Sequence, residues 1–168
     1  INLEANRHLV NSVVSLLDLK KDDRVLDAFC GIGNFSLPIA RSASFVYGLE
    51  YSESSVKRAR INAELNNILN CSFQACDLTL SSQKIDALGD VNKVVLDPPR
   101  SGAAEFISGL PIQNIERIVY VSCNPITFAK DLSTLGKKGF ELEVAGLVNM
   151  FPHTTHIESL ALLSRVGN

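Results

Sequence analysis

Short apolar runs recur along this chain with helix-period stretches between them, and that alternation constrains the fold more than any other feature. Arg24-Val25-Leu26-Asp27-Ala28-Phe29 reads as a buried strand closed by the glycines of Cys30-Gly31-Ile32-Gly33. Apolar positions at Leu9, Val10, Val13, Val14, Leu16 and Leu17 predict an amphipathic helix ahead of it. After the glycines the pattern predicts a helix from Asn34 to Ser42, a strand over Phe45 to Leu49, and a longer helix from Ser54 to Asn66. A strand near Cys71 to Gln74, a weak helix in the eighties and the strand Lys93 to Leu96 follow. Arg117 to Val121 reads as another buried strand, a helix starts near Ile126, and the last stretch leaves room for two more strands. Such alternation means a doubly wound, mostly parallel α/β sheet.

In sheets of that type ligands sit beyond the carboxyl ends of the strands, and the unusual residues of this sequence fall at those ends. Gly31 and Gly33 occupy the first strand-to-helix turn, where the missing Cβ lets a ligand approach the backbone. A dinucleotide fingerprint needs a third glycine where Ser36 stands, which weakens a nicotinamide reading. Glu50 ends the second strand, where a carboxylate can accept both hydroxyl protons of a ribose. Asp77 follows the third strand, placed to hold an adenine edge, and Asp97 follows the fourth, facing the reacting end of a cofactor. Each acid has a bland reading as a helix cap, and their joint spacing is what gives them weight.

Cys123 lies in Ser122-Cys123-Asn124-Pro125, between a buried strand and the helix after it, where helix-start amide dipoles favour a thiolate nucleophile. Cys30 reads as packing beside a cofactor, and Cys71 and Cys76 as strand filler. The four cysteines lack paired metal-ligand spacing, so no metal site is expected. Glu158, in Phe151-Pro152-His153-Thr154-Thr155-His156-Ile157-Glu158, is the candidate proton acceptor. His153 and His156 could orient that base or touch a nucleic acid, and Arg100, after Asp97-Pro98-Pro99, could anchor a phosphate.

Assembled in this order, the chain resembles the RNA uracil-5-methyltransferases, and within them the bacterial branch acting on 23S ribosomal RNA. Asp27 to Phe35, Leu96 to Gly102, Val119 to Pro125 and Met150 to Glu158 carry the resemblance. It implies a seven-stranded, Rossmann-like class I methyltransferase fold, with residues 1–168 forming one catalytic domain. It implies S-adenosyl-L-methionine as cofactor, contacted by Phe29, Asn34, Glu50, Asp77 and Asp97 beside the glycines. Cys123 would be the nucleophile and Glu158 the base, and the partner would be structured RNA, ribosomal RNA first. Uracil carbon 5 needs such a nucleophile, because thiolate addition at carbon 6 generates the enolate that accepts a methyl group.

Sixteen basic against 18 acidic residues, a net charge of −2, are not those of a freestanding nucleic-acid binder. The resemblance implies a reason: family members carry an upstream region, often with an RNA-binding barrel, which is expected to lie outside these residues. No apolar stretch reaches the roughly 20 residues a membrane helix needs, and no signal segment opens the chain, so a cytoplasmic protein is expected. Two other readings compete. An amino methyltransferase acting on adenine or a protein amide would use Asp97-Pro98-Pro99 and leave Cys123 and Glu158 idle. A fragment that binds cofactor without catalysis would use neither.

Overall fold

The computed structural model describes residues 2–80, 89–149 and 157–167. Helix α1 (Leu3–Leu17) starts where the Asn2 side chain accepts the backbone N–H groups of Glu4 and Ala5, and it buries Ala5, Leu9, Val10, Val13 and Leu17. There follow β1 (Arg24–Ala28), α2 (Ser36–Ala40), β2 (Phe45–Glu50), α3 (Glu53–Leu65) and β3 (Cys71–Ala75). A short 3-10 turn (Leu78–Leu80) leads towards β4 (Lys93–Leu96). The second half holds α4 (Ala104–Gly109), β5 (Arg117–Ser122), α5 (Pro125–Lys137), β6 (Phe140–Asn149) and β7 (Ile157–Arg165).

Seven strands form one sheet in the order β3-β2-β1-β4-β5-β7-β6. The first five are parallel, and β7 runs antiparallel between β5 and β6. This is the doubly wound, mostly parallel sheet expected from the alternation of elements. The order reverses between β1 and β4, so the crevice for a ligand opens beyond their carboxyl ends.

Both faces of the sheet are covered, which is why its central strands are apolar without interruption. Leu26, Ala28, Val94, Leu96, Ile118 and Tyr120 point into one core, which takes in Phe106 and Ile107 of α4 and Leu135 of α5. The alternate residues Val25, Val95, Val119 and Val121 meet α1 and α2 on the other face. At the pole away from the crevice, buried Lys93 donates to Asp23 at 2.6 Å and to the Asp18 carbonyl at 2.7 Å. Burial pushes the Asp23 carboxyl up, but bonds from Lys93, the Lys20 amide and Asn92 outweigh it and hold the group below its ordinary range.

Helix α4 was not expected from the sequence. Its six residues have no side-chain cap at the start, and Phe106 and Ile107, buried in the core, hold it in place. The helix expected in the eighties lies outside the described residues.

Candidate active site

The turn after β1 is left-handed at three residues: Phe29 has φ 66°, Gly31 φ 53° and Gly33 φ 89°. Two are glycines, for which that conformation carries no penalty, while Phe29 is strained by about 1–3 kcal/mol. Packing offsets the strain, for the Phe29 ring meets Phe106 edge-on with centroids 5.7 Å apart. The Gly31 N–H donates to Glu50 Oε2 at 3.1 Å, and the Ser52 N–H to Glu50 Oε1 at 2.9 Å. Glu50 is thereby fixed at the end of β2, facing the glycine turn across the parallel β1–β2 pair.

Phe29, Glu50, Tyr51, Asp77, Asp97 and Pro99 line one cleft of about 430 Å³ at the carboxyl ends of the strands. That volume suits a nucleoside-sized ligand. The sequence reading named four of these residues and missed Tyr51 and Pro99. Tyr51 carried a signal, a large aromatic directly after the strand-ending acid, and the structure leaves it 75% exposed. Asp77 Oδ1 accepts the Thr79 hydroxyl at 2.7 Å and the Thr79 N–H at 2.9 Å, bonds that hold its carboxyl below the ordinary range. Its present role is therefore a cap on the 3-10 turn, at the rim of the cleft.

Gly33 and Asn34 stand apart from that group. They line a separate depression with Leu37, Arg41 and Asn62. Asn34 exchanges two side-chain hydrogen bonds with Asn6 of α1, at 3.0 and 3.1 Å. The local sequence could not show this, because Asn6 is 28 positions away.

The acid groups of the cleft find no cation among its lining residues. Burial pushes the Asp97 carboxyl up to about 7, and the charges of Glu158 and Asp27 add to the shift. Asp27, fully buried in β1, is also pushed up to about 7 by burial, against a bond from the Ser36 hydroxyl. Its Oδ1 has no hydrogen-bond partner among the described residues. Asp27 was read from sequence only as a strand residue, since nothing local reveals that a strand-end acid lies under the crevice rather than in it.

Cys123 follows the last residue of β5 and is partly exposed. Ser122 Oγ lies 3.1 Å from both the N–H and the carbonyl oxygen of Asn124, so the chain folds tightly around Cys123. The Asn124 side chain caps α5 by accepting the Ile126 N–H at 3.1 Å, and it donates to the Arg100 carbonyl at 2.9 Å. Pro125 opens the helix, where its missing N–H costs nothing.

Ser122 and Ser159 form the last antiparallel pair of β5 and β7. Cys123 and Glu158 both lie just past that pair, at the end of the sheet where the parallel strands finish. The Glu158 charge is felt by Asp97, which joins these residues to the acidic cleft. The other cysteines do not compete as nucleophiles. Burial, with the charges of Asp27 and Glu50, pushes the Cys30 thiol up, burial does the same to Cys71, and Cys76 is buried. Arg100 is exposed in the loop after β4, while His153 and His156 lie outside the described residues. Among the described residues no cluster of histidine, cysteine and acidic groups is arranged to hold a metal, and no helix is long and apolar enough to cross a membrane.

A family profile described as tRNA (Uracil-5-)-methyltransferase matches residues 1–166. The 23S rRNA (uracil(1939)-C(5))-methyltransferase RlmD of Legionella pneumophila (strain Corby) is 46% identical over 167 residues, covering 98% of this chain and 38% of that protein. RlmD of Hahella chejuensis is also 46% identical, over 170 residues, with the same coverage. Among solved structures, the Pyrococcus abyssi tRNA (uracil-54, C5)-methyltransferase in complex with S-adenosyl-L-homocysteine superposes with a TM-score of 0.80 at 31% identity, covering 94% of this chain and 38% of that one. The Synechocystis magnesium protoporphyrin IX methyltransferase with bound SAM shares the fold at 23% identity and a TM-score of 0.74, covering 96% of this chain and 80% of that one. The chain thus spans about 38% of the length of the curated relatives it matches.

Proposed function

The chain belongs to the tRNA (uracil-5-)-methyltransferase family, and from that premise we propose that it is the methyl-transferring domain of an enzyme that methylates carbon 5 of a uridine in 23S ribosomal RNA. The observation that carries this reading is that Cys123 and Glu158 each lie one residue beyond the Ser122–Ser159 pair of neighbouring strands, beside the cleft lined by Asp97. An amino methyltransferase has no use for either residue.

S-adenosyl-L-methionine fits the cleft, because its acids lack a cation and the cofactor carries two. Glu50, fixed by Gly31 and Ser52, would receive the ribose hydroxyls, Asp77 the adenine edge and Asp97 the charged end. Phe29 and Tyr51 supply apolar walls. Bound there, the cofactor supplies an electrophilic methyl group.

The chain's own residues do the rest. Cys123 Sγ adds as a thiolate to carbon 6 of the uracil, the ring electrons move to the carbon 4 oxygen, and carbon 5 becomes nucleophilic. Once carbon 5 is methylated, its remaining proton passes to the Glu158 carboxylate and the carbon–sulfur bond breaks, releasing the thiolate. We assign Arg100 to an RNA phosphate near the loop it occupies, and His153 and His156 to the same RNA on sequence alone. A ribosomal RNA substrate puts the enzyme in the cytoplasm.

The full-length protein, given S-adenosyl-L-methionine and ribosomal RNA containing 5-fluorouridine, forms a covalent protein–RNA adduct on a denaturing gel, since fluorine cannot leave as a proton. The adduct disappears in Cys123→Ala. No adduct from a protein that binds the cofactor, or an undiminished adduct in Cys123→Ala, removes the uracil-5 mechanism.

A further inference from the structure

Asp131, at the middle of α5, is 3% exposed and faces no lysine or arginine within ion-pair distance among the described residues. Its Oδ2 accepts two hydrogen bonds, from the Tyr120 hydroxyl at 2.5 Å and the Ala103 N–H at 2.7 Å. Apolar packing would hold the helix as well, so a buried acid that accepts from two other elements calls for a reason beyond stability.

The partners supply one. Tyr120 is three residues before Cys123 on β5, and its ring is locked edge-on against Phe128 with centroids 5.4 Å apart. Ala103 ends the loop that carries Asp97, Pro99 and Arg100 out of β4. Beside Ala103, Gly102 has φ 83°, and a Cβ on it would fall 2.8 Å from Asp131 Oδ2 and 3.0 Å from Thr127 Cβ. The loop therefore closes on α5 only through a glycine. A second fastening lies one turn away, where the Arg100 carbonyl accepts the Asn124 side chain at 2.9 Å and the Thr127 hydroxyl at 3.2 Å. Helix α5 thus grips both the strand that delivers the nucleophile and the loop that delivers Asp97.

We propose that Asp131 is a positioning residue which, through Tyr120 and Ala103, sets the spacing between Cys123 and the loop carrying Asp97 and Pro99. The inference rests on the uracil-5 reading above. Its consequence is that Asp131 governs how fast the bound base is attacked and has little effect on how tightly RNA or cofactor is held.

The test is single-turnover adduct formation by the full-length protein on 5-fluorouridine RNA, with cofactor and RNA affinities measured alongside. Asp131→Ala lowers the rate constant by about tenfold or more, the cost expected of a displacement under 1 Å, with both affinities within about threefold. Asp131→Asn keeps an oxygen able to accept both bonds and stays within about threefold of the native rate. A purely structural Asp131 would lower the melting temperature of Asp131→Ala and leave the rate of the folded molecules unchanged, which overturns the proposal. Should Asp131→Ala fail to fold, Tyr120→Phe carries the test, since it keeps the buried ring and removes one donor. A threefold or greater loss of rate supports the proposal there, and a native rate overturns it. A native protein that forms no adduct instead removes the uracil-5 reading, and the positioning role with it.

Discussion

The cofactor role proposed for Asp97 predicts that cofactor binding depends on pH, in a direction set by its raised carboxyl. In the free protein its carboxyl is pushed up to about 7 by burial and by the charges of Glu158 and Asp27. The folded protein therefore keeps a proton that the unfolded chain has released, and the empty fold loses stability as pH climbs from the ordinary carboxylate range to about 7. A bound cation reverses this penalty by drawing out the ionised form, so binding releases a proton and strengthens with pH. With a free-state value of about 7 and a lower one in the complex, raising pH from 6 to 8 increases the ionised fraction, and with it the affinity, by about tenfold, or ~1.4 kcal/mol. Calorimetric titration of S-adenosyl-L-methionine across that interval measures the effect, and titration in two buffers of different ionisation enthalpy counts the proton. Asp97→Asn flattens the profile. A steeper dependence for S-adenosyl-L-methionine than for S-adenosyl-L-homocysteine, whose sulfur is neutral, identifies the sulfonium as the cation Asp97 meets. An unchanged slope in Asp97→Asn, or a flat profile in the native protein, refutes the reasoning.

Two further outcomes follow from named contacts. Lys93→Met leaves the Asp23 carboxylate buried with only the Lys20 amide and the Asn92 side chain, at a cost of about 3–5 kcal/mol and a fall of about 10 °C in melting temperature. Because Lys93 helps hold Asp23 below its ordinary range, the native bond's contribution is present above that range and fades as pH falls through the lowered value. Double substitution with Asp23→Asn should recover part of the loss, and equal melting temperatures for native and Lys93→Met proteins would count against it. Glu158→Gln retains Cys123 and loses the proposed proton acceptor, so with ordinary uridine RNA the methylated adduct accumulates and turnover falls by about 10²-fold or more. Mass spectrometry of the denatured protein reads the adduct, and normal turnover without it would assign proton removal to another group.

Where the candidate residues would fall in the fold was largely legible because strand-ending residues announce themselves locally. Glu50 and Asp97 each close an apolar run, and Cys123 is followed by Asn124-Pro125, a helix start whose cap and first residue are both present in the structure. What stayed hidden were residues whose role depends on distant partners. Asn34 sits in the same turn as Gly31, yet its side chain is taken up by Asn6. Asp131 lies mid-helix with nothing in its neighbours to mark it, and only its contacts with Tyr120 and Ala103 give it meaning.

By itself the amino-acid sequence determined the alternation of strands and helices, the glycine turn after β1 and the chemistry available at the strand ends. Those properties are set by short-range rules of side-chain periodicity, backbone sterics and capping. Only the tertiary structure decided that β7 would slot antiparallel between β5 and β6, bringing Glu158 to the same end of the sheet as Cys123. Likewise it decided that Asp27 would be buried beneath the cleft and that Asp97 would titrate near neutrality. Burial and through-space charge are properties of packed elements, and no local stretch of sequence encodes which elements pack together.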